Sequence, residues 1–171
     1  MPPVFELLQS YHDRQGFDCG KQPLNDFLQR QARQNADRNV GIIYVAVEKA
    51  GDSKILAYYT LVTRTVDAWV IPSKKLPKGD IGVVLLGRLA VDKSQQRKGL
   101  GRICLTRAIL QVEQSAREIG LYALILDALD EDAREWYLGF EMGFDTLLDS
   151  PTHLYLSMDT IRTIMNESLE P

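Results

Sequence analysis

Residues 89–102 read LAVDKSQQRKGLGR, and this stretch decides how the chain is built. An apolar run ends at Asp92, a polar and basic loop follows, and Gly99 and Gly101 precede residues with helical spacing. A helix N-terminus leaves its first N–H groups without intrahelical partners and carries partial positive charge. Glycines also let a backbone approach a ligand without a Cβ clash. The stretch therefore predicts a strand–loop–helix junction that binds an anion such as a phosphate.

Two common nucleotide-binding loops do not match this junction. The Walker A loop requires Gly-Lys followed by Ser or Thr, which is missing here. The dinucleotide fingerprint requires Gly or Ala at its third glycine position, where Cys104 stands. A solvated basic loop with a glycine-stabilised turn is the alternative that the residues themselves leave open.

The composition predicts a single domain over residues 1–171. A chain of 171 residues with 45% hydrophobic and 25% charged residues is typical of a globular protein with one core. With a net charge of -3, the molecule as a whole has no positive electrostatic field that would attract nucleic acid, so any anion-binding site must be a local one. Neither a signal peptide nor a membrane-spanning run of about 20 apolar residues is recognisable. With only Cys19 and Cys104, far apart in sequence, we expect a cytoplasmic protein without disulfides or zinc.

Hydrophobic periodicity predicts an α/β domain with a mixed sheet. The predicted strands are Gly41–Glu48, Ile55–Val66, Val83–Val91, Leu121–Leu126 and His153–Met158. The predicted helices are Leu24–Ala36, Gly99–Ile119, Asp130–Met142 and a short one after Asp159. The third strand is apolar nearly throughout, so we expect it at the centre of the sheet, and Gly87 within it indicates a bulge or a close backbone approach.

Residues 96–101, QRKGLG, resemble the Q/R-x-x-G-x-G/A pyrophosphate loop of the GCN5-related N-acetyltransferases (GNAT). The similarity extends to five further segments and is closest to the TacT/AtaT-type toxin branch of that superfamily. These segments are FDCGKQPLNDFLQRQARQN (17–35), YYTL (58–61), LLGRLAVD (85–92), ALILDALDEDAREWY (123–137) and GF (143–144). The resemblance implies the GNAT fold: an α/β domain whose mixed, mostly antiparallel central sheet is flanked by helices and splayed at its central strands.

The resemblance implies acetyl-CoA as co-substrate and no metal. The pyrophosphate would lie on the loop amides, and the pantetheine arm would pair with the last strand residues as an added strand. A main-chain N–H at Val91 or a neighbour could also polarise the thioester carbonyl. The family often has Gly where Arg97 stands, a departure that leaves the cradle intact and adds a cation. The implied cofactor-binding residues are Leu89, Ala90, Val91, Gln96, Arg97, Lys98, Gly99, Leu100, Gly101 and Arg102.

The resemblance assigns catalysis to Tyr137, because the family places a tyrosine on this helix near the sulfur. A phenol with a pKa near 10 can give its proton to a thiolate whose conjugate acid has a pKa of about 8.5. By spacing alone, Ala133, Trp136, Tyr137 and Phe140 are also the apolar face of an ordinary helix. Gly143 lies six positions after Tyr137, where the family's shorter form has four, so the end of this helix is altered.

No residue stands out as a general base. His153 reads as an ordinary strand residue and His12 is far from any motif, whereas Glu135 or Asp127 could act through a water. The amine of an aminoacyl ester has a low pKa and needs no dedicated base. This chemistry favours charged tRNA over a lysine side chain as the acceptor.

The toxin branch implies specific partners. Its members acetylate the α-amine of aminoacyl-tRNA and block translation, form homodimers and are neutralised by a ribbon-helix-helix antitoxin. The alternatives are the same chemistry on a small amine or protein amine, and a non-catalytic module that binds CoA or a partner protein. Cations that could contact tRNA phosphates, or simply solubilise the chain, are Arg30, Arg33, Arg38, Lys74, Lys75 and Lys78.

Overall fold

The computed structural model describes residues 2–73 and 75–168, which form a seven-stranded mixed sheet with helices. The strands are β1 Val4–Leu7, β2 Ile42–Val47, β3 Ala57–Asp67, β4 Asp80–Val91, β5 Ala123–Asp127, β6 Asp145–Thr146 and β7 His153–Ser157. The α-helices are α1 Gln22–Asp26, α2 Ala32–Asp37, α3 Leu100–Ala116, α4 Glu131–Leu138 and α5 Met158–Glu167. A π-helical turn, Phe27–Gln31, joins α1 to α2, and short 3₁₀ turns occupy Ala68–Val70 and Lys93–Gln95.

The sheet has the order β1-β2-β3-β4-β5-β7-β6. The pairs β1–β2, β2–β3, β5–β7 and β6–β7 are antiparallel, whereas β4 and β5 run parallel. This arrangement confirms the predicted mixed sheet and the central place of the apolar strand β4.

Several predicted boundaries need correction. The helix predicted over 24–36 is interrupted by the π-helical turn, and the helix predicted over 130–142 ends at Leu138, just before Gly139. The strands β1 and β6 were not predicted, since four and two residues are too few to show a periodicity. β1 is held by pairing with β2, far along the sequence, whereas β6 pairs with β7, the next strand of the chain.

Contacts divide the chain into two units. The first takes the residues up to Val62 together with Gly87–Ala108, and the second takes Thr63–Leu86 and the chain from Ile109 onward. Each unit contains its own hydrophobic cluster.

In the first unit, the neighbouring tyrosines of the YYTL segment point to opposite faces of β3. The Tyr58 ring stacks with Phe27, and its hydroxyl donates to the Leu24 carbonyl at 2.6 Å. The Tyr59 ring stacks with Tyr44 from β2. Both tyrosines are fully buried, so both faces of this part of the sheet are covered. Burial of one such side chain stabilises the fold by about 1.5–3 kcal/mol.

In the second unit, β5 lies between β4 and β7. Its residues alternate between two buried faces, which explains why the strand reads as a continuous apolar run. One face packs in a cluster of Val70, Ile71, Val83, Ala123, Ile125 and Leu147. In the part of the chain that the structure describes, no helix is both long and apolar enough to cross a membrane.

Candidate active site

The loop after β4 begins at Asp92, whose carboxylate organises it. Asp92 Oδ1 accepts hydrogen bonds from the Ser94 amide (3.0 Å) and the Ser94 hydroxyl (2.7 Å), which caps the 3₁₀ turn. Asp92 Oδ2 accepts from the amide of Asp18 at 3.0 Å. Burial raises the pKa of the Asp92 carboxyl, but the bonds from Asp18 and Ser94 outweigh it and lower that pKa overall. The carboxylate form therefore holds the start of the loop.

Gln96, the first residue of the family pattern, stabilises the loop through hydrogen bonds of its side chain to backbone carbonyls. Its side-chain amide Nε2 donates to the Val91 carbonyl and to the Cys19 carbonyl, both at 2.8 Å. Lys98 Nζ donates to the Ser94 carbonyl at 2.9 Å. Two of the predicted cofactor residues thus also stabilise the conformation of the loop.

The backbone of the loop is left-handed at two positions, Arg97 (φ +62°) and Gly99 (φ +85°). Glycine accepts this conformation freely, whereas another residue pays about 1–2 kcal/mol. The conformation at Arg97 is therefore one that glycine would adopt at a lower cost. A Cβ built on Gly99 meets nothing within 4 Å, so the space beside it is open. Exposed cations at Arg97 and Lys98 and open backbone at a helix start suit the diphosphate of acetyl-CoA.

A second segment, Asp18 to Asn25, braces the same loop. Lys93 donates its backbone amide to the Asp18 carbonyl at 2.8 Å, and its ammonium lies 3.1 Å from Asp18 Oδ2. The Asn25 side chain and the Gly20 amide both donate to Asp18 Oδ1 at 2.9 Å. Hydrogen bonds from Asn25, Gly20 and Lys93 lower the pKa of the Asp18 carboxyl to about 2. Sequence reasoning had found this segment only as a match to the family.

The predicted pantetheine residues Leu89, Ala90 and Val91 follow the part of β4 that pairs with β5, whose register runs from Val83–Ala123 to Leu86–Leu126. Ala90 is buried in the cluster of the first unit. At Gly87, an added Cβ would lie 3.0 Å from the Thr60 hydroxyl oxygen. The close approach expected at this glycine is confirmed.

Tyr137 lies in the last turn of α4, a helix that begins at a conventional cap. The Asp130 carboxylate accepts from the Ala133 amide at 2.8 Å, and acidic residues occupy the first turn. The Tyr137 side chain is buried, with its ring edge-on to Trp136 (centroids 4.9 Å apart) and to Phe144 (6.0 Å). Aromatic packing therefore sets the position of this tyrosine.

The segment between the end of α4 and the Gly143-Phe144 pair forms a turn and not a further turn of helix. After α4 ends, Phe140 packs edge-on against Trp136 with centroids 4.6 Å apart, and Glu141 adopts φ +53°. Gly143 has φ +95°, and a Cβ there would lie 2.9 Å from Thr160 Cγ2. A glycine is therefore favoured at position 143 both by the left-handed backbone and by the lack of room for a Cβ. Gly143 lies just before β6.

Both histidines have local partners. His12 is buried: its Nδ1 accepts from the Gln9 amide at 2.8 Å, and its Nε2 lies 3.3 Å from Glu6 Oε1. His153 lies between two carboxylates, with Nδ1 at 3.1 Å from Asp149 Oδ2 and Nε2 at 3.6 Å from Asp127 Oδ2. These contacts account for both rings without a catalytic role.

The predicted phosphate-contacting cations differ in their surroundings. Arg33 pairs with Asp37 at 3.2 Å and donates to the Leu8 carbonyl, so it serves the first unit structurally. Lys74 lies outside the described residues. The exposed members of the set are Arg30, Arg38, Lys75 and Lys78.

The structure brings together the ten predicted cofactor residues, all of which belong to the first unit. Tyr137 belongs to the second unit, with the aromatic residues that surround it.

Comparison with known proteins identifies the family of the chain and solved structures that resemble it. The family model described as acetyltransferase (GNAT) family matches residues 2–140. A tRNA-acetylating toxin of Mycobacterium tuberculosis is 32% identical over 158 residues, which cover 91% of this chain and 92% of the relative. The structure of AtaT complexed with acetyl-methionyl-tRNAfMet is 28% identical with a TM-score of 0.87, covering 95% of this chain and 99% of that one. A Tyr-to-Phe mutant of AtaT, bound to the C-terminus of the antitoxin AtaR and acetyl-CoA, is 26% identical with a TM-score of 0.82, covering 97% and 99%.

Proposed function

Because the chain belongs to the acetyltransferase (GNAT) family, we propose that it is an acetyl-CoA-dependent N-acetyltransferase of the toxin type. Its acceptor is the α-amine of aminoacyl-tRNA, and the product blocks translation. The similarity to the tRNA-acetylating toxin, over nine-tenths of both chains, supports this acceptor over a small amine or a protein amine. Enzymatic transfer is favoured over a non-catalytic binding module because the chain carries a tyrosine in the helix that the family uses.

The observation that carries the proposal is the preformed loop between β4 and α3. Hydrogen bonds of Asp92 and Gln96 hold it, and the space beside Gly99 is open. Amides at such a helix start bind a diphosphate without reorganisation, which favours tight binding. In the proposal the amides of Gln96 to Arg102 hold the diphosphate, and the backbone of Leu89 to Val91 orients the pantetheine arm.

The chemistry needs few groups from the protein. Bound acetyl-CoA supplies the thioester carbonyl carbon, to which the amine nitrogen bonds as the carbon–sulfur bond breaks. We assign to the Tyr137 hydroxyl the proton that the leaving thiolate takes up. The nitrogen loses its own proton to solvent, because the amine of an aminoacyl ester has a low pKa, and the Tyr137 phenolate takes up a proton from solvent to restore the phenol. No protein base is then required.

The proposal extends to the surroundings of the enzyme. The antitoxin complex of AtaT supports a protein antitoxin for this chain, which we take to be of the ribbon-helix-helix type. We also propose a homodimer that acts in the cytoplasm. Light scattering of the purified chain gives the oligomeric state directly.

The test is acetyl transfer from labelled acetyl-CoA to total charged tRNA. We expect label on the aminoacyl moiety, identified after nuclease digestion by mass spectrometry. Deacylated tRNA and a panel of small amines and peptides are the comparison substrates. Transfer to a small amine or peptide without transfer to charged tRNA would replace the toxin assignment with that of an ordinary GNAT enzyme.

Induced expression provides a second readout. We expect growth arrest with the wild-type chain and normal growth with Tyr137→Phe at equal protein level. Arrest that persists in the variant would mean that the toxicity is independent of acetyl transfer.

A further inference from the structure

Arg88 on β4 is a half-buried cation whose surroundings in the structure are apolar and aromatic. Its guanidinium carbon lies 3.7 Å from the centroid of the Phe27 ring. In the described ranges 2–73 and 75–168 it has no carboxylate partner and no hydrogen bond. Burial lowers the pKa of Arg88, yet a guanidinium with an ordinary pKa above 12 stays charged near neutrality.

The platform under Arg88 is built by an irregular part of the chain. Phe27 begins the π-helical turn, and its carbonyl accepts from the Ala32 amide five residues later. The Tyr58 hydroxyl donates to the Leu24 carbonyl just before this turn, and its ring stacks on Phe27 at 6.2 Å. π-helical turns are uncommon and frequently occur at functional sites. The turn and Tyr58 together hold the Phe27 ring face against the guanidinium.

A partly buried guanidinium without an anion costs stability, because burial removes water from a charge that no group among the described residues neutralises. The stacked ring contributes only part of the compensation. The planar group retains five N–H donors, arranged to bind two oxygens of a phosphate or carboxylate. Such an arrangement is expected where a ligand supplies the missing anion.

We propose that Arg88 binds a phosphodiester at the single-stranded 3′ end of the acceptor tRNA. This rests on the proposed function, which supplies a polyanionic acceptor. Arg88 immediately precedes the three residues to which we assign the pantetheine arm, so it lies on the strand along which the reacting groups are aligned. An Arg stacked on an aromatic ring is a common way to hold nucleic-acid phosphate at a fixed angle.

The experiment compares two acceptors with the same reactive amine. One is charged tRNA, and the other is the same amino acid esterified to adenosine, which has no phosphate. For Arg88→Gln we expect KM for charged tRNA to rise about 10- to 100-fold, because the substitution removes a charge-assisted hydrogen bond to the phosphate. With the aminoacyl-adenosine we expect wild-type kinetics. A plot of log kcat/KM for tRNA against log salt concentration should also become less steep, its slope falling in magnitude by about 0.7.

Arg88→Lys tests geometry, since it keeps the charge but not the planar fork. We expect it to recover only part of the lost affinity, with the salt slope restored. Lys49→Gln removes an exposed cation from the β2–β3 connection of the same unit and is the matched control. For Arg88→Gln, we expect the melting temperature to stay within about 4 °C of wild type and the acetyl-CoA affinity within twofold, since the substitution breaks no ion pair of the residues that the structure describes.

Three outcomes overturn the proposal: wild-type KM for tRNA in Arg88→Gln, an equal loss on tRNA and on the phosphate-free ester, or a melting temperature that falls with both activities. Failure of the proposed function is different, because the wild-type chain would then not acetylate charged tRNA, whether or not it acetylates the aminoacyl-adenosine. Phe27→Leu, which removes the stacking ring but no charge, should raise KM for tRNA less than Arg88→Gln does. If Phe27→Leu has the larger effect, the platform and not the guanidinium binds the acceptor.

Discussion

The loop within the predicted cofactor site and the loop that follows the helix of Tyr137 are held in different ways. Residues 92–99, before α3, are fixed by side chains that bond to backbone, chiefly those of Asp92 and Gln96. Residues 139–144, after α4, are shaped by backbone conformation at Glu141 and Gly143 and by ring packing around Tyr137. A diphosphate needs donors in a fixed array, and directional bonds provide that. The buried Tyr137 ring needs a fixed position, and edge-on packing against neighbouring rings contributes to it.

The largest effect is expected at Tyr137, in the last turn of α4 just before the second loop. Tyr137→Phe keeps the ring and its packing but removes the proton, so kcat should fall about 10²- to 10⁴-fold with unchanged acetyl-CoA affinity. Steady-state kinetics with charged tRNA and calorimetric titration with acetyl-CoA give the two quantities. Tyr155→Phe, at another partly buried tyrosine of the same unit, is the control. Wild-type turnover in Tyr137→Phe would leave Tyr137 a packing residue alone.

The next effect concerns the first loop. Gly99→Asp places a carboxylate in the open space at the anion site and a side chain at φ +85°, so Kd for acetyl-CoA should rise about 100-fold or more. Gly99→Ala adds the backbone strain without the charge, so it should raise Kd for acetyl-CoA by about tenfold or less.

The matched control is Gly51→Asp, at a glycine with φ +86° and similarly open surroundings in a different turn. Its melting temperature should fall like that of Gly99→Asp, while its acetyl-CoA affinity stays at the wild-type value. Unchanged affinity in Gly99→Asp would remove the diphosphate from this loop.

A smaller effect tests the glycine that ends the second loop. Gly143→Ala combines a left-handed backbone with a 2.9 Å contact to Thr160 Cγ2, so the free energy of unfolding should fall by about 1–3 kcal/mol. Gly120→Ala, where no atom lies within 4 Å of the new methyl group, should be nearly neutral. Denaturant unfolding measures both. Equal values for the two variants would mean that the turn adapts by moving.

The smallest effect is a pH dependence of stability, which arises at Asp18 in the segment that supports the first loop. The folded-state pKa of Asp18 is lowered from 3.8 to about 2, so its contribution to stability is complete above pH 3.8 and is lost as pH falls toward 2. Because Asp18 is exposed, water and salt weaken this contribution. Asp18→Asn should flatten the fall of the unfolding free energy between pH 4 and about 2, with Asp80→Asn as control. An unchanged slope in Asp18→Asn would assign the acid sensitivity to other carboxylates.

Local patterns predicted much of the fold, because most of its elements are long enough to show a period. The five predicted strands and the long helix after Gly99 all exist, with ends shifted by a few residues. The π-helical turn at Phe27 was missed because its apolar spacing is indistinguishable from that of an α-helix. The early end of α4 at Leu138 was missed because Phe140 continues the helical stripe although Gly139 stops the helix.

In the candidate site, too, the sequence predicted the features that depend on adjacent residues and missed those that depend on distant ones. The glycine-bearing loop was visible in the sequence because its function depends on a few adjacent residues. The brace from Asp18 to Asp92 joins residues 74 positions apart, and no periodicity carries information over that distance. Arg88 was read as part of an apolar strand, and its stack on Phe27 becomes apparent only in three dimensions.

By itself, the sequence determined where strands, helices and the glycine junction lie, since backbone preference and hydrophobic period are local properties. Only the tertiary structure decided which carboxylate holds the loop, which ring lies under Arg88 and how the chain leaves α4. Those are contacts between distant residues, and they depend on side-chain packing and hydrogen bonding that the linear order does not encode.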